Sequence, residues 1–320
     1  MADSAGVVGE LLVTAADTVA DGVVRLTLAD ADGGALAPWT PGAHVDLHLG
    51  NGLVRPYSLC GDPADPYRYQ VAVLREPAGR GGSAHVHDEL AVPGARVGVG
   101  LPRNRFPFVA AERCLFLAGG IGITPLLPMV AAAEAAGVDW RLVYAGRSLA
   151  AMAFREELAS RFPGERVVVA PKREAGRPDL DAVLAEAESC GRTVYCCGPE
   201  RMVDAVAARC AGWPEGRLRT ERFRAEVSAE GAGFDVELAR SGLSAKVPDG
   251  LSILDALEDA GFAEASFSCR EGTCGSCETR VLAGEPDHRD AVLSDAERET
   301  AETMMICVSR SRTPHLVLDL

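Results

Sequence analysis

The stretch CREGTCGSC, Cys269–Cys277, sets three thiols within nine residues. Four residues separate the first two cysteines, two separate the next two, and Cys307 follows after a further 29 residues. A C-x4-C-x2-C spacing with a distant fourth cysteine is the arrangement that holds a plant-type [2Fe–2S] cluster. Gly272 and Gly275 suit such a loop, because glycine lets backbone N–H groups approach the sulfurs closely. The sequence therefore predicts a [2Fe–2S] cluster bound by four cysteines: Cys269, Cys274, Cys277 and Cys307.

A structural zinc site is the alternative interpretation of these thiols. Zinc sites normally offer two close pairs of ligands, whereas this chain has one C-x2-C pair and a solitary Cys307. Four unconnected buried thiols would be a third interpretation, which the polar, glycine-rich loop disfavours. The other six cysteines have no ligand spacing, and most are expected to fill apolar cores.

The composition is that of a soluble globular protein with two or three domains, because 48% of the 320 residues are apolar. No basic segment followed by an apolar run begins the sequence, and the long uncharged run from Cys114 contains glycines and prolines that would break a spanning helix. We therefore expect a cytoplasmic monomer without membrane or nucleic-acid partners. In a reducing cytoplasm ten cysteines are not expected to form structural disulfides.

Composition also divides the chain. Short alternating segments with Gly and Pro between them, such as VVRLTL and YQVAVL, predict an antiparallel β-barrel over residues 1–107. Apolar strands then alternate with amphipathic helices over 108–225, which predicts a doubly wound parallel sheet. A small, polar, glycine-containing linker is predicted at 226–233 and a last domain at 234–320, where SDAE at Ser294–Glu297 matches a helix capping box.

Three further segments have the composition of phosphate-binding sites. GGIGITP, Gly119–Pro125, follows a predicted strand and opens a helix, where backbone donors favour a pyrophosphate. It lacks the third glycine of the Rossmann fingerprint, so a tight turn remains the alternative. RPYS, Arg55–Ser58, offers a guanidinium and an aromatic ring, and GRGGS, Gly79–Ser83, begins a predicted helix, SAHVHDEL.

Together these features resemble the phthalate dioxygenase reductase family along the whole chain. The domain order, RPYS, GRGGS, GGIGITP, CGPERM at Cys197–Met202 and the cysteine spacing all match. The resemblance implies a multidomain α+β and α/β protein: an antiparallel β-barrel that binds FMN, a doubly wound NAD(P) domain and a β-grasp, plant-type [2Fe–2S] ferredoxin domain.

The resemblance also implies site residues. Ser58 should lie near flavin N5, the backbone at 72–73 should meet the isoalloxazine edge, and Phe223 in ERF should shield the flavin. The FMN residues are then Arg55, Pro56, Tyr57, Ser58, Ala72, Val73, Arg80, Gly82 and Ser83. The nucleotide residues are Gly119, Gly120, Gly122, Thr124, Pro125, Cys197, Gly198 and Pro199. The predicted catalytic residues, those nearest to hydride transfer, are Ser58, Thr124, Cys197 and Phe223.

The segment PKRE, Pro171–Glu174, lies in the loop predicted after the third strand of the middle domain. Its composition leaves open whether the chain binds NADH or NADPH. Lys172 and Arg173, with Arg147 after the preceding strand, are predicted to contact the nucleotide and could meet the 2′-phosphate of NADPH. A solvated basic loop is the alternative. The nucleotide is therefore expected to be NADH or NADPH.

The family implies a function: NAD(P)H passes a hydride to FMN, and the [2Fe–2S] cluster delivers single electrons to a terminal oxygenase of the Rieske type, an aromatic dioxygenase or demethylase. A cytochrome P450 as acceptor and a non-catalytic redox sensor are the alternatives. Residues 229–320 carry 18 acidic and 8 basic side chains, a net charge of −10 within a total of −14. This excess either serves solubility or steers the ferredoxin domain to a basic patch on the oxygenase.

Overall fold

The computed structural model describes residues 9–77, 79, 81–223, 230–262, 265–267, 269–293 and 295–320, without the side chains of 295 and 296. The chain forms two compact units, a larger one that ends at Glu221 and a smaller one that runs from Arg222 to Leu320. Among the described residues, no helix has the length and apolar character that crossing a bilayer requires.

The larger unit begins with a six-stranded antiparallel sheet in the order β4-β3-β6-β1-β2-β5. The strands are β1 (Gly9–Ala20), β2 (Val23–Ala29), β3 (His44–His48), β4 (Val54–Ser58), β5 (Tyr69–Leu74) and β6 (Arg96–Val99). The two edge strands meet just beyond β4, where Leu59 bridges Val71 and the Cys60 N–H donates to Gln70 O at 2.9 Å. The sheet thus closes into the predicted barrel around fully buried aliphatic side chains such as Leu26 and Val45. A short helix, α1 (Gly82–His85), continues as a π-helical turn, Val86–Leu90.

The second part of this unit is a five-stranded parallel sheet in the order β11-β10-β7-β8-β9. Its strands are β7 (Arg113–Gly119), β8 (Asp139–Gly146), β9 (Val167–Pro171), β10 (Thr193–Cys197) and β11 (Leu218–Glu221). Its helices are α2 (Ile123–Ala135), α3 (Arg155–Arg161), α4 (Lys172–Ala175), α5 (Leu180–Ser189) and α6 (Glu200–Cys210). The strand order reverses between β7 and β10, so their carboxyl ends form the switch point at which open α/β sheets bind ligands.

The smaller unit contains a mixed five-stranded sheet in the order β13-β12-β18-β14-β16, with β12 and β18 parallel at its centre. Its strands are β12 (Phe234–Leu238), β13 (Leu243–Val247), β14 (Glu278–Ala283), β15 (Pro286–Asp287), β16 (Thr303–Met305), β17 (Arg310–Ser311) and β18 (His315–Leu318). Helix α7 (Ile253–Asp259) begins at a capping box formed by Ser252 and Asp255. Its apolar face, including Ile253 and Leu257, packs in the core of this unit. The predicted barrel, doubly wound sheet and β-grasp folds are all confirmed.

Two features differ from the sequence interpretation. Strand β1, GELLVTAADTVA, was not predicted, because its apolar residues do not alternate and it contains several alanines and acidic residues. The segment PKRE, predicted as a loop, forms one helical turn, α4, directly after β9. Helix α8 (Asp295–Thr300) begins where the capping box was predicted, but Ser294 lies outside the described residues, as do 226–229 of the predicted linker.

Candidate functional site

The four predicted cluster ligands form two pairs of buried sulfurs. Cys277 Sγ and Cys307 Sγ lie 3.1 Å apart, and the Cys269 N–H donates to Cys274 Sγ at 3.5 Å. All four side chains are at most 7% exposed. In a [2Fe–2S] cluster each iron takes two protein ligands, whereas a structural zinc ion needs four ligands around one point. Two pairs therefore fit the binuclear cluster better than zinc.

Hydrogen-bond donors surround the first pair of sulfurs. Cys269 Sγ accepts from the Glu271 N–H at 3.3 Å and from Thr273 Oγ1 at 3.5 Å, and Cys274 Sγ accepts from the Ser276 N–H at 3.5 Å. A hydrogen bond with Cys274, reinforced by Thr273 and Glu271, lowers the pKa of the Cys269 thiol to about 5. In the second pair, the hydrogen bond with Cys307 raises the pKa of Cys277. Donors aimed at sulfur stabilise the thiolates that bind iron and tune the potential of the cluster.

The loop that carries these cysteines is fixed from two sides. Gly272 and Gly275 have φ values of +63° and +76°, which favour glycine. The Gly272 carbonyl accepts from the Ala291 N–H at 2.8 Å. Arg270 forms ion pairs with two acidic residues of α7 and stacks on Phe267 at 4.3 Å. The thiols are therefore held by the fold of this unit.

The predicted flavin residues of β4 and β5 lie on opposite sides of the seam that closes the barrel. Antiparallel pairing through the Leu59–Val71 bridge sets Ser58 opposite Ala72. Both side chains are buried. The Val73 carbonyl accepts from His87 Nε2 at 2.9 Å in the matching tautomer, so this carbonyl is engaged within the protein.

The two predicted phosphate-binding segments of the barrel are in direct contact. A Cβ added to Gly82 would lie 2.8 Å from Arg55 Nε, so only glycine lets the guanidinium lie against the start of α1. Ser83 Oγ accepts from the Glu76 N–H at 3.0 Å, which leaves its own O–H able to donate. Gly81, with a φ of +87°, turns the chain into this helix. Arg80 lies outside the described residues.

At the switch point of the parallel sheet, the two predicted nucleotide loops interlock through glycines. A Cβ on Gly119 would lie 2.5 Å from Pro199 Cδ, and one on Gly198 would lie 2.9 Å from Gly119 Cα. A Cβ on Gly122 would lie 2.3 Å from Cys197 O. Gly119 and Gly122 are therefore explained by contact with CGPERM as well as by access for a phosphate, whereas Gly120 is explained by its φ of +56°.

A cavity of about 860 Å³ opens beside these loops, and its size is typical of a site for a nucleotide-sized ligand. The barrel contributes residues 21–23 and 74–77 to its lining. Five predicted nucleotide residues line it: Gly119, Gly120, Arg147, Lys172 and Pro199. Arg177, Arg201 and Met202 also line it and were missed by the sequence interpretation, although the last two stand in CGPERM. Glu76 lines the cavity and donates its N–H to Ser83 Oγ, so the cavity adjoins the predicted FMN phosphate segment.

Cys197 has an acidic neighbour that was also missed. It is fully buried at the end of β10, paired with Glu221 at the end of β11, and its thiol lies 3.9 Å from Glu221 Oε2. Burial raises the pKa of Glu221 to about 8, and burial and the adjacent carboxylate raise the pKa of Cys197. Both groups are therefore largely protonated at neutral pH. The only sequence signal was that Glu221 begins the ERF motif.

Some predicted residues do not lie on the cavity wall. Thr124 is buried, and its Oγ1 donates to the Ile121 carbonyl at 2.9 Å, so it braces the glycine loop. Arg173 is absent from the cavity lining, although its N–H donates to the Arg147 carbonyl at 3.1 Å. Phe223 is 38% exposed and belongs to the smaller unit, and its flavin-shielding role stays a prediction.

Comparisons with known proteins agree with this geometry. The 2Fe-2S iron-sulfur cluster binding domain family matches residues 236–312, and the oxidoreductase NAD-binding domain family matches residues 116–208. The phenoxybenzoate dioxygenase subunit beta of Ectopseudomonas oleovorans is 47% identical over 94% of both chains.

Two solved structures extend the comparison. An intact type IV self-sufficient cytochrome P450 monooxygenase superposes with a TM-score of 0.87 and 43% identity, over 97% of this chain and 41% of that one. Phthalate dioxygenase reductase, described as a modular structure for electron transfer from pyridine nucleotides to [2Fe–2S], superposes with a TM-score of 0.72 and 38% identity over 98% of both chains. The predicted cofactors, FMN, a [2Fe–2S] cluster and a nicotinamide nucleotide, are confirmed. The chain is an NAD(P)H-dependent oxidoreductase and belongs to the phthalate dioxygenase reductase family.

Proposed function

We propose that this reductase delivers its electrons to a Rieske-type terminal oxygenase, an aromatic dioxygenase or demethylase. The choice of acceptor is supported by the similarity to a dioxygenase subunit over 94% of both chains. One observation carries the electron-transfer role itself: the same chain holds a nucleotide-sized cavity at a switch point and two pairs of buried thiols suited to a [2Fe–2S] cluster. A nucleotide supplies electrons two at a time, whereas an iron–sulfur acceptor takes them singly. A chain with both sites can therefore take up electrons in pairs and release them one at a time.

When bound, FMN accepts the hydride of NAD(P)H and releases single electrons to the cluster, so the protein itself has only to bind, orient and insulate. We expect Arg55 to hold the FMN phosphate from one side, and Arg80, Gly82 and Ser83 to hold it from the start of α1. Support comes from the contact between Arg55 and Gly82. It also comes from Ser83, whose oxygen accepts from Glu76 and whose proton can therefore point to an anion.

In the nucleotide-binding domain, we expect Gly119, Gly120 and Pro199 to contact the nucleotide so that its nicotinamide end lies near Cys197. The glycine contacts between the two loops support this role, because they fix the loops at van der Waals distance. The protonated Cys197–Glu221 pair would border the nicotinamide without adding negative charge. Ser58 would then face the flavin from the barrel seam.

The acidic excess of residues 229–320, 18 acidic against 8 basic side chains, supports docking on a basic surface of the oxygenase. Complementary charge raises encounter rates more than lasting affinity, which suits a carrier that must leave after each electron. Glu271 and Glu278 stand beside cluster ligands in the sequence, and Glu278 is exposed. We also propose that the chain acts as a cytoplasmic monomer.

A cytochrome P450 is the second candidate acceptor, favoured by the similarity to part of a self-sufficient P450. The experiment is anaerobic stopped-flow mixing of the NADH-reduced holoprotein with a purified Rieske aromatic oxygenase and, separately, with a purified P450. We expect reduction of the Rieske centre to be at least about tenfold faster than reduction of the P450 haem. Faster haem reduction would favour the P450. A holoprotein that oxidises no NADH with cytochrome c or ferricyanide would indicate a redox sensor instead.

A further inference from the structure

The end of strand β8 carries a cation where NAD-specific domains carry an acid. In doubly wound nucleotide domains, a carboxylate near the end of the second strand hydrogen-bonds the ribose 2′-OH of NAD, whereas an arginine accommodates the 2′-phosphate of NADP. The second strand here is β8, which ends at Gly146 and is followed by Arg147. Arg147 lines the cavity.

The acidic residue that follows Lys172 and Arg173 in the sequence forms a hydrogen bond away from the cavity. Glu174, on α4, accepts the Leu149 N–H at 3.3 Å and does not line the cavity. The Arg173 N–H donates to the Arg147 carbonyl at 3.1 Å. These two bonds join the loop after β8 to the turn after β9, and so hold Arg147 and Lys172 on the same wall.

Three basic residues of the cavity lining have no acidic partner in the part of the chain that the structure describes, whereas Arg75 of the barrel pairs with Asp88. Lys172 and Arg177 line the cavity together with Arg147, and none of the three forms an ion pair or side-chain hydrogen bond with a described residue. The two acidic residues of the lining, Asp21 and Glu76, belong to barrel segments. All three basic residues are exposed, so their charges are open to an anionic ligand that enters the cavity.

We propose that Arg147, Lys172 and Arg177 form a subsite for the 2′-phosphate of NADPH, so that this reductase uses NADPH as well as NADH. The inference rests on the nucleotide occupying this cavity, as proposed above. Phosphate oxygens accept charge-assisted hydrogen bonds from guanidinium and ammonium groups, which are stronger than bonds between neutral groups. Arg177 is the residue that sequence reasoning missed, because its place on the wall depends on how the chain between α4 and α5 folds back.

The test is isothermal titration calorimetry of the FMN- and cluster-loaded protein with adenosine 2′,5′-bisphosphate (2′,5′-ADP) and with 5′-AMP, two probes that differ only in the 2′-phosphate. The 2′,5′-ADP probe carries the 2′-phosphate and no nicotinamide, so binding is measured apart from turnover. We expect wild type to bind 2′,5′-ADP at least about tenfold more tightly than 5′-AMP, and Arg147→Gln/Lys172→Gln to lose most of that ratio. Arg173→Gln removes the same charge from the same helical turn, but away from the wall, and should change the ratio less than about twofold.

Equal affinity of wild type for the two probes would overturn the subsite. So would a ratio that survives in the Arg147→Gln/Lys172→Gln variant, provided that flavin absorbance shows the variant to be folded. If wild type binds neither probe and also fails to oxidise NADH, the assignment of the cavity to a nucleotide fails as well. NADH oxidation with equal probe affinities would leave the proposed function standing and remove only the 2′-phosphate subsite.

Discussion

Substituting Gly122 with alanine tests whether the two loops at the switch point must touch. The added Cβ would lie 2.3 Å from Cys197 O, 2.5 Å from Cys197 C and 2.7 Å from Gly198 N. Unstrained carbon–oxygen contacts are about 3.3 Å or longer, so the loops must separate by about 1 Å. Gly122 has a φ of −61°, which alanine adopts freely, so the contact alone is perturbed.

The expected magnitude follows from that displacement. Overpacking of this kind costs about 1–3 kcal/mol of unfolding free energy. A misplacement of about 1 Å in reacting groups costs roughly 100-fold in rate. We therefore expect Gly122→Ala to stay folded with FMN bound, and to lose on the order of 100-fold in kcat/KM for NADH with ferricyanide as acceptor.

Gly212→Ala is the matched control for this substitution. Gly212 follows α6, nothing lies within 4 Å of an added Cβ, and no positive φ opposes alanine. Its kcat/KM and thermal midpoint should equal those of wild type. If Gly122→Ala kept kcat/KM within about twofold of wild type, the close approach of GGIGITP to CGPERM would have no part in placing the nucleotide.

Two further predictions concern charge. Burial raises the pKa of Glu221 from 4.5 to about 8, so the folded chain keeps a proton that the unfolded chain releases. The contribution of Glu221 to the unfolding free energy is therefore most favourable below pH 4.5 and falls as pH rises towards 8. Glu221→Gln should therefore remove about 1–3 kcal/mol of the difference in unfolding free energy between pH 5 and pH 8, measured by urea denaturation, and an unchanged difference would refute the pKa shift. Reversal of Glu271 and Glu278 to lysine should slow reduction of the oxygenase at low salt, because surface charges act there over distances longer than the Debye length of about 8 Å at physiological salt. Reduction of ferricyanide, which does not need the cluster, should not slow. Indifference of oxygenase reduction to both salt and reversal would point to an apolar docking surface.

The sequence predicted the architecture well, because local patterns specify it. The cysteine spacing, the alternation of strands and helices after Cys114 and the glycine loops all follow from residues close together in the chain. Strand β1 was not predicted because its apolar and polar residues do not alternate clearly. Its position is set by pairing with β2 and β6.

Contacts between distant segments could not be predicted in the same way. The sorting of the thiols into Cys269–Cys274 and Cys277–Cys307 pairs depends on how β16 returns to the cysteine loop. The approach of Glu221 to Cys197 depends on β11 pairing with β10. Lys172 lines the cavity and Arg173 does not, a distinction that a linear pattern cannot make, and the assignment of Arg173 to the nucleotide stays a prediction.

In the proposed function, electrons pass from the nucleotide to the flavin and only then to the cluster. The most direct test is anaerobic addition of NADH to wild type and to Cys274→Ser, followed by electron paramagnetic resonance and by ferricyanide reduction. Wild type should develop the signal of a reduced [2Fe–2S] cluster, whereas Cys274→Ser should lack it and keep ferricyanide reduction within about twofold of wild type. A flavin-loaded Cys274→Ser protein that no longer reduces ferricyanide, or a wild-type cluster that NADH leaves oxidised, would contradict this order of transfer.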